Sequence, residues 1–253
     1  LFRKAGIVRC FSREELTTVG CIFTLPPITG KNIAIVTHAG GPGVMLTDAL
    51  SKGGLNVPKL DGPVAEELKS KLFAGSSVSN PIDILATGTP EQLGIAIDYC
   101  EHKFKGIDAI CVIFGTPGLV KLYEAYDVLH KKILECKKPV FPILPCLNTA
   151  GPEVAEFLEK GHVNFSDEVT LATALTQVMK TPRPAPSEIE LAGVDVPGIR
   201  KIIDGIHDNG YIAPGKVREL LACAKIPMAP EMVSDSKEKL IAFAEEIGYP
   251  IVA

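Results

Sequence analysis

Residues 32–50 read NIAIVTHAGGPGVMLTDAL, and they constrain the fold of this chain more than any other stretch. An apolar run, Ile33 to Val36, ends in the glycine-rich turn Gly40-Gly41-Pro42-Gly43. That turn leads straight into an apolar, helix-like segment at 44–50. A strand–glycine turn–helix unit leaves the first backbone N–H groups of the helix unpaired and directed at the loop. The helix dipole adds partial positive charge there, so the natural guest is an anion, usually phosphate. Glycines let a backbone approach closely and take positive φ, and Pro42 suits a first helical turn. The same pattern also fits a tight βα turn that binds nothing, and local pattern does not separate the two.

The standard nucleotide fingerprints fail here. There is no GxGxxG, and no acidic residue stands at the ribose position expected after a dinucleotide-binding strand. There is no GxxxxGK[ST], which excludes a P-loop kinase or NTPase. A nucleophile elbow needs serine where the chain has Pro42. What remains is a phosphate or phosphoryl cradle without its own nucleophile.

With 253 residues, 46% hydrophobic and 22% charged, the chain has ample core for one large or two small domains. Its net charge of −4 and lack of a basic stretch argue against nucleic acid as a partner. No apolar run reaches the ~18 residues of a membrane span and no signal peptide is visible, so a cytoplasmic protein without a membrane partner is expected. Cys10, Cys21, Cys100, Cys111, Cys136, Cys146 and Cys223 are scattered and never form CxxC. They read as incidental thiols of a reducing compartment, not as a disulfide framework or zinc site.

From residue 32 to 180, strand and helix patterns alternate. Strands are expected at 32–36, 55–60, 78–85, 109–114, 140–144 and 163–165. Helices are expected at 12–22, 44–50, 64–72, 89–102, 121–135, from 152, and up to 180. Ser12 to Glu15 and Thr89 to Gln92 read as capping boxes. The run AICVIF at 109–114 is short and fully apolar, as in a buried parallel strand. The alternation implies an α/β fold, a doubly wound parallel sheet with helices on both faces. The run TPRPAPS at 181–187 is a stiff linker and the clearest boundary. After it come three helical patterns, at 197–209, 214–224 and 236–247.

Open parallel sheets bind ligands beyond the carboxyl ends of their strands. Three segments should converge there: the 40–44 turn, the 79–83 run with Asn80 and Asp83, and the 115–118 turn after AICVIF. Asn80 and Asp83 either touch a ligand or bond locally to turn backbone, as these residue types favour. His38 sits beside the glycine turn, but nothing in the sequence supplies it with a carboxylate partner, so it reads as hydrogen-bonded or solvated rather than catalytic. His102, His130, His162 and His207 make no metal spacing and read as surface histidines.

The runs IAIVTHAGGPGVMLTDAL, SNPIDILATGTPE and GIDAICVIF together resemble the nucleoside-diphosphate-forming acyl-CoA synthetases (acetate–CoA ligase, ADP-forming), relatives of succinyl-CoA synthetase. The lead-in AGIVRCFSREEL at 5–16 looks like that family's junction into its second flavodoxin-like domain. Residues 213–253 are similar to the start of its ATP-grasp module, down to the ending EEIGYPIVA. The resemblance implies four parts: a lead-in segment and helix at 1–27, a flavodoxin-like CoA-ligase domain at 28–182, a proline-rich linker at 183–195, and a truncated start of the ATP-grasp domain at 196–253.

It also implies a relay. An acyl-CoA and phosphate give an acyl phosphate, which phosphorylates a histidine, and the phosphohistidine then phosphorylates ADP. In this chain Gly40, Gly41, Gly43 and Val44 would form one of two phosphate-binding cradles at helix N-termini, supported by Asn80 and Asp83. The family's phosphorylated histidine lies in a Ser-His-Thr-Gly motif, absent here, and His38 does not inherit that role. No catalytic or metal-ligating residue is therefore assigned. The fragment alone should bind no cofactor; CoA, ADP or ATP, and Mg belong to the full enzyme. Its partners would be phosphate and the remaining CoA-binding, phosphohistidine and ATP-grasp parts.

The chain begins at Leu1 without methionine and stops at Ile251-Val252-Ala253, in what reads as the middle of a strand, as expected of a piece of a longer protein. The alternative is the scaffold core of a protein-lysine acetyltransferase without synthetase activity. A free-standing flavodoxin-like carrier or response-regulator-like module fits less well. The first strand is followed by no Ser/Thr-rich flavin loop and ends in no acidic pair.

Overall fold

The structure, a computed structural model, describes residues 1–116, 120–184, 193–206 and 210–252. Four parallel strands form one sheet: β1 (Ile33–Thr37), β2 (Ile82–Asp83), β3 (Ala109–Ile113) and β4 (Val140–Ile143), in the order β2-β1-β3-β4. β1, β3 and β4 are buried along their whole length, which is why they read as unbroken apolar runs rather than alternating ones. Pro142 is tolerated because β4 lies at an edge of the sheet.

Successive strand residues point to opposite faces, and each face has its own core. Ile33, Ile35, Cys111, Ile113 and Phe141 pack with side chains of α1 (Arg13–Phe23), α2 (Gly40–Gly53) and α7 (Glu168–Lys180). Ala34, Val36, Ile110 and Val112 face α3 (Pro63–Lys69), α4 (Pro90–Asp98), α5 (Tyr123–Glu135) and α6 (Gly151–Glu159). The fold is thus a doubly wound α/β sheet. The chain winds outward in both directions from β1 and β3, so the topological switch point lies between those two strands.

Two helices start at the caps that the sequence suggests. The Ser12 hydroxyl accepts from the Glu15 N–H at 3.1 Å, and Thr89 and Gln92 form a full capping box at α4. α4 runs on into a π-helical turn, Tyr99–Lys103. Two expected strands are absent as ladders. Residues 55–60 contribute a single bridge, Asn32 to Asn56, and residues 163–165 a single bridge, Ile143 to Phe165. The expected 78–85 strand shrinks to β2. The reason lies at Asn80, whose side chain takes the β1 positions that a neighbouring strand would occupy.

The chain divides into two compact units, Leu1–Ala185 and Pro186–Ala253. The second holds α8 (Val196–Asp204), α9 (Pro214–Cys223) and α10 (Lys237–Ile247), with α8 packed on α9. Residues 251–252 are described and form no strand. Part of the 181–187 linker, residues 117 and 118 of the 115–118 turn, and His207 lie outside the described residues. None of the described helices is long and apolar enough to cross a membrane.

Candidate functional site

α2 begins earlier than its apolar segment: the glycines of the turn are its first residues. Its N-cap is Ala39, which has no side-chain acceptor to offer. The Ala39 N–H is held by the Thr37 hydroxyl at 3.0 Å, and the same hydroxyl donates to the Ala39 carbonyl at 2.8 Å. By helical register the open donors are then the N–H groups of Gly40 and Gly41, since Pro42 has none. Gly43 and Val44 lie far enough along to bond back into the helix. Gly43 is buried, and a Cβ there would come 3.2 Å from Thr37 Cγ2 and 3.3 Å from Pro81 Cβ. Glycine at 43 therefore lets the helix lie against the strand end, and Val44 contributes an exposed side chain.

Asn80 faces the sheet, not the cradle. Its Oδ1 accepts from the Ile35 N–H at 2.9 Å. Its Nδ2 donates to the carbonyls of Ile33, at 3.0 Å, and Pro58, at 2.9 Å. The amide thus stands in for a strand partner along the first half of β1, where β2 does not reach. Its φ of 71° lies in the left-handed region that asparagine tolerates better than most residues. Asp83 does approach the cradle. Its Oδ1 accepts from the Leu85 N–H at 2.9 Å, and its Oδ2 lies 3.3 Å from where a Cβ on Gly40 would stand.

His38 follows directly on β1 and is half-buried, its ring 4.7 Å from that of Phe114. Nδ1 lies 3.3 Å from the Ile113 carbonyl. A carbonyl only accepts, so Nδ1 carries the hydrogen and Nε2 presents a lone pair. Burial holds His38 below its usual value, against the opposing pull of that hydrogen bond and of the Asp83 charge. Asp83, on the strand next to β1, is the carboxylate whose charge reaches His38, though no hydrogen bond or ion pair joins the two.

His38 and Ala39 also line a cleft of about 540 Å³ at the switch point, with Ala86 and Pro90 on one side and Phe114, Thr116 and Lys121 on the other. Beneath it, Gly115 passes so close to Cys146 that a Cβ would stand 2.5 Å from its sulfur. The Thr116 N–H donates to that sulfur at 3.2 Å. Tyr126 donates to the Phe114 carbonyl at 3.2 Å. Thr37 and Cys146 both support the site, and the sequence reading missed both. Thr37 had one signal, a hydroxyl closing an otherwise apolar strand; Cys146 had none.

The remaining histidines correct one expectation. His102 is exposed, but His130 and His162 are half-buried and lie 2.6 Å apart, Nδ1 to Nε2. All seven cysteines are free thiols. Burial pushes Cys100 and Cys111 up to about 12. Among the described residues no group of three or more His, Cys, Asp or Glu side chains could hold a metal ion.

No protein-family model matches the chain. It is 36% identical to the alpha subunit of the Pyrococcus furiosus acetate–CoA ligase (ADP-forming) II over 186 residues, covering 71% of this chain and 40% of that subunit. It is 25% identical to the Archaeoglobus fulgidus acetate–CoA ligase (ADP-forming) I over 260 residues, 99% of this chain and 36% of the relative. In fold it is similar to the Ca. Korarchaeum cryptofilum dinucleotide forming acetyl-coenzyme A synthetase 1, solved in complex with phosphate and ADP. That match has a TM-score of 0.62 at 20% identity, covering 70% of this chain and 39% of the other. The chain spans about two-fifths of the length of the curated relatives it matches. By sequence and by fold, then, this chain is a relative of the ADP-forming acyl-CoA synthetases, matched to one part of them.

Proposed function

We propose that the chain supplies a phosphoryl cradle to an acid–thiol ligase that interconverts acyl-CoA, ADP and phosphate with acid, CoA and ATP through a phosphohistidine carried elsewhere in the enzyme. Gly41 carries the reading. Glycine inside a helix costs roughly 0.5–1 kcal/mol relative to alanine. Nothing in the surrounding structure calls for it at 41: φ is not positive and a Cβ would meet nothing within 4 Å. Glycine there keeps the backbone bare toward solvent, beside the open N–H of Gly40, as close approach by a phosphoryl group requires. Fixed dipoles aimed at a transferring phosphoryl group are a recognised source of rate. Asn80 supports the cradle from behind through β1, and Asp83 flanks it.

In this reading residues 28–182 are the flavodoxin-like domain, introduced by 1–27. Residues 183–195 link it to the opening of an ATP-grasp module at 196–253. CoA, ADP or ATP, and Mg are bound by the whole enzyme, with the CoA-binding and phosphohistidine parts as partners. The purified 253-residue chain turns over no acyl-CoA, and measurable turnover would overturn that statement. The deciding experiment is ATP formation from ADP, phosphate and acetyl-CoA by the full-length protein, with and without Gly41→Glu. Activity that collapses in the variant supports the cradle. Activity that survives reduces the turn to architecture, and no activity with any acyl-CoA favours an acetyltransferase scaffold.

A further inference from the structure

The switch-point cleft holds a charge arrangement that the cradle does not explain. The cradle is flanked by a carboxylate, Asp83, and the cleft wall adds a second, Glu124. An anion bound between the cleft and the open N–H groups of α2 therefore has a carboxylate on either side, Glu124 in the cleft and Asp83 at the cradle. Among the described residues lining the cleft, Lys121 is the one cation. Its Nζ lies 3.5 Å from Oε1 of Glu153, and the two ends of this pair differ sharply. The lysine side chain is 77% exposed, the glutamate 1%. Glu153 Oε2 has no hydrogen-bond partner among the described residues.

Burying a carboxylate costs several kcal/mol unless it is fully paired, and a single contact at 3.5 Å does not pair it fully. A place in the first turn of α6 offsets part of that cost through the helix dipole. The ion pair that Glu153 makes among the described residues holds a lysine whose side chain stays exposed at the rim of the cleft.

We infer that Lys121 is the cation of an oxyanion subsite in the switch-point cleft, and that the buried Glu153 is the positioning residue that holds it there. The ligand is a small oxyanion, either the carboxylate of the acid substrate or inorganic phosphate. Ala39 belongs both to the cleft wall and to the N-terminus of α2, so the subsite opens directly onto the cradle. This inference rests on the cradle reading of residues 40–44. Neutral His38 adds only an acceptor, Nε2, which leaves the attraction for an anion to Lys121.

The test uses the full-length protein with Lys121→Met, Lys121→Arg, Glu153→Gln and the Lys121→Met/Glu153→Gln double variant. KM is measured for phosphate in the ATP-forming direction, for acetate in the reverse direction, and for ADP. A lost charge-assisted contact predicts a KM rise of about 10- to 100-fold in Lys121→Met. If phosphate KM rises the guest is phosphate; if acetate KM rises it is the carboxylate. ADP KM should stay unchanged and Lys121→Arg should keep near-normal values. Glu153→Gln should raise the same KM less, and the double variant should be no worse than Lys121→Met, because the glutamate acts through the lysine.

Unchanged phosphate and acetate KM in Lys121→Met overturns the inference, as does a Lys121→Arg variant as impaired as Lys121→Met. Should the wild type form no ATP, the synthetase reading fails by itself. The subsite is then judged by line broadening of phosphate (³¹P) and acetate (¹³C) resonances. Broadening by the wild type that Lys121→Met abolishes sustains the subsite, and no broadening overturns it.

Discussion

Asn80, Gly41 and Gly43 show how differently single residues can serve one site. Asn80 holds three backbone groups of β1 and the 55–60 segment through its amide. Replacing it by alanine leaves those part-buried groups without their partner and removes a residue suited to positive φ. We expect Asn80→Ala to lower stability by about 2–4 kcal/mol, read from urea unfolding of the chain. A loss below about 1 kcal/mol would mean that water takes over those bonds. Gly41 and Gly43 should part company. Gly41→Ala meets open space and gains helix propensity, so stability should rise by up to about 1 kcal/mol while phosphate-dependent activity of the full-length protein falls. Gly43→Ala must displace Thr37 and Pro81 and should cost about 1–3 kcal/mol. Equal effects on stability would contradict the division between a glycine kept for a ligand and one kept for packing. The sequence offered Asn80 as a ligand contact or a local partner of turn backbone, not as a partner of β1. Its partners at Ile33 and Ile35 are far away along the chain, and no local pattern reports them.

The helices were the legible elements, because a cap and an apolar stripe are both local. Thr89-Pro90 with Gln92 announced α4, and the helix begins at Pro90. β3 was equally plain, since a strand buried on both faces must be apolar throughout. Residues 55–60 were misread for a converse reason: they are apolar enough for a strand, but Asn80 already occupies the pairing edge of β1. The contact between α5 and the chain after α6 was also invisible, because His130 and His162 each look like surface histidines alone. Their nitrogens, 2.6 Å apart, can share one proton but cannot comfortably hold two. Burial above all, and then the charges of His130 and Lys160, hold His162 below its usual value. A histidine lowered on folding binds fewer protons folded than unfolded. Its share of stability is thus complete above about pH 6.5 and drains away as pH falls from there through the lowered folded value. The lowered value of His38 acts in the same direction, so a variant is needed to separate them. Urea midpoints between pH 7.5 and 5.5 should fall less in His162→Gln than in the wild type. An identical fall in both would remove the pair from the account.

At the scale of the whole molecule, the two compact units differ in how much core they own. Leu1–Ala185 closes a sheet between two helical layers, with side chains such as Ile35, Leu46, Ile97, Ile110 and Phe141 fully buried. In Pro186–Ala253, Ala244 is the one buried hydrophobic residue among those described. Ile203, Met232, Val233, Ile241 and Ile247 all remain exposed on or beside its helices. Helical periodicity and the proline-rich run made these helices and the approximate boundary readable from sequence, because both are properties of short windows. What the helices pack against is not a property of a window. Below about 70–80 residues a single core rarely supplies more than a few kcal/mol, and short helices without tertiary packing are marginal in water. The two units should therefore behave differently when expressed apart. Residues 1–185 should give one cooperative thermal transition and a well-dispersed amide spectrum. Residues 186–253 should melt gradually, with narrow amide dispersion and strong binding of a hydrophobic dye, because the apolar faces of α8, α9 and α10 have no common interior to enter. A sharp transition from the smaller piece would overturn this, and would mean that its helices pack together more completely than the exposure of Ile203 and Ile241 allows.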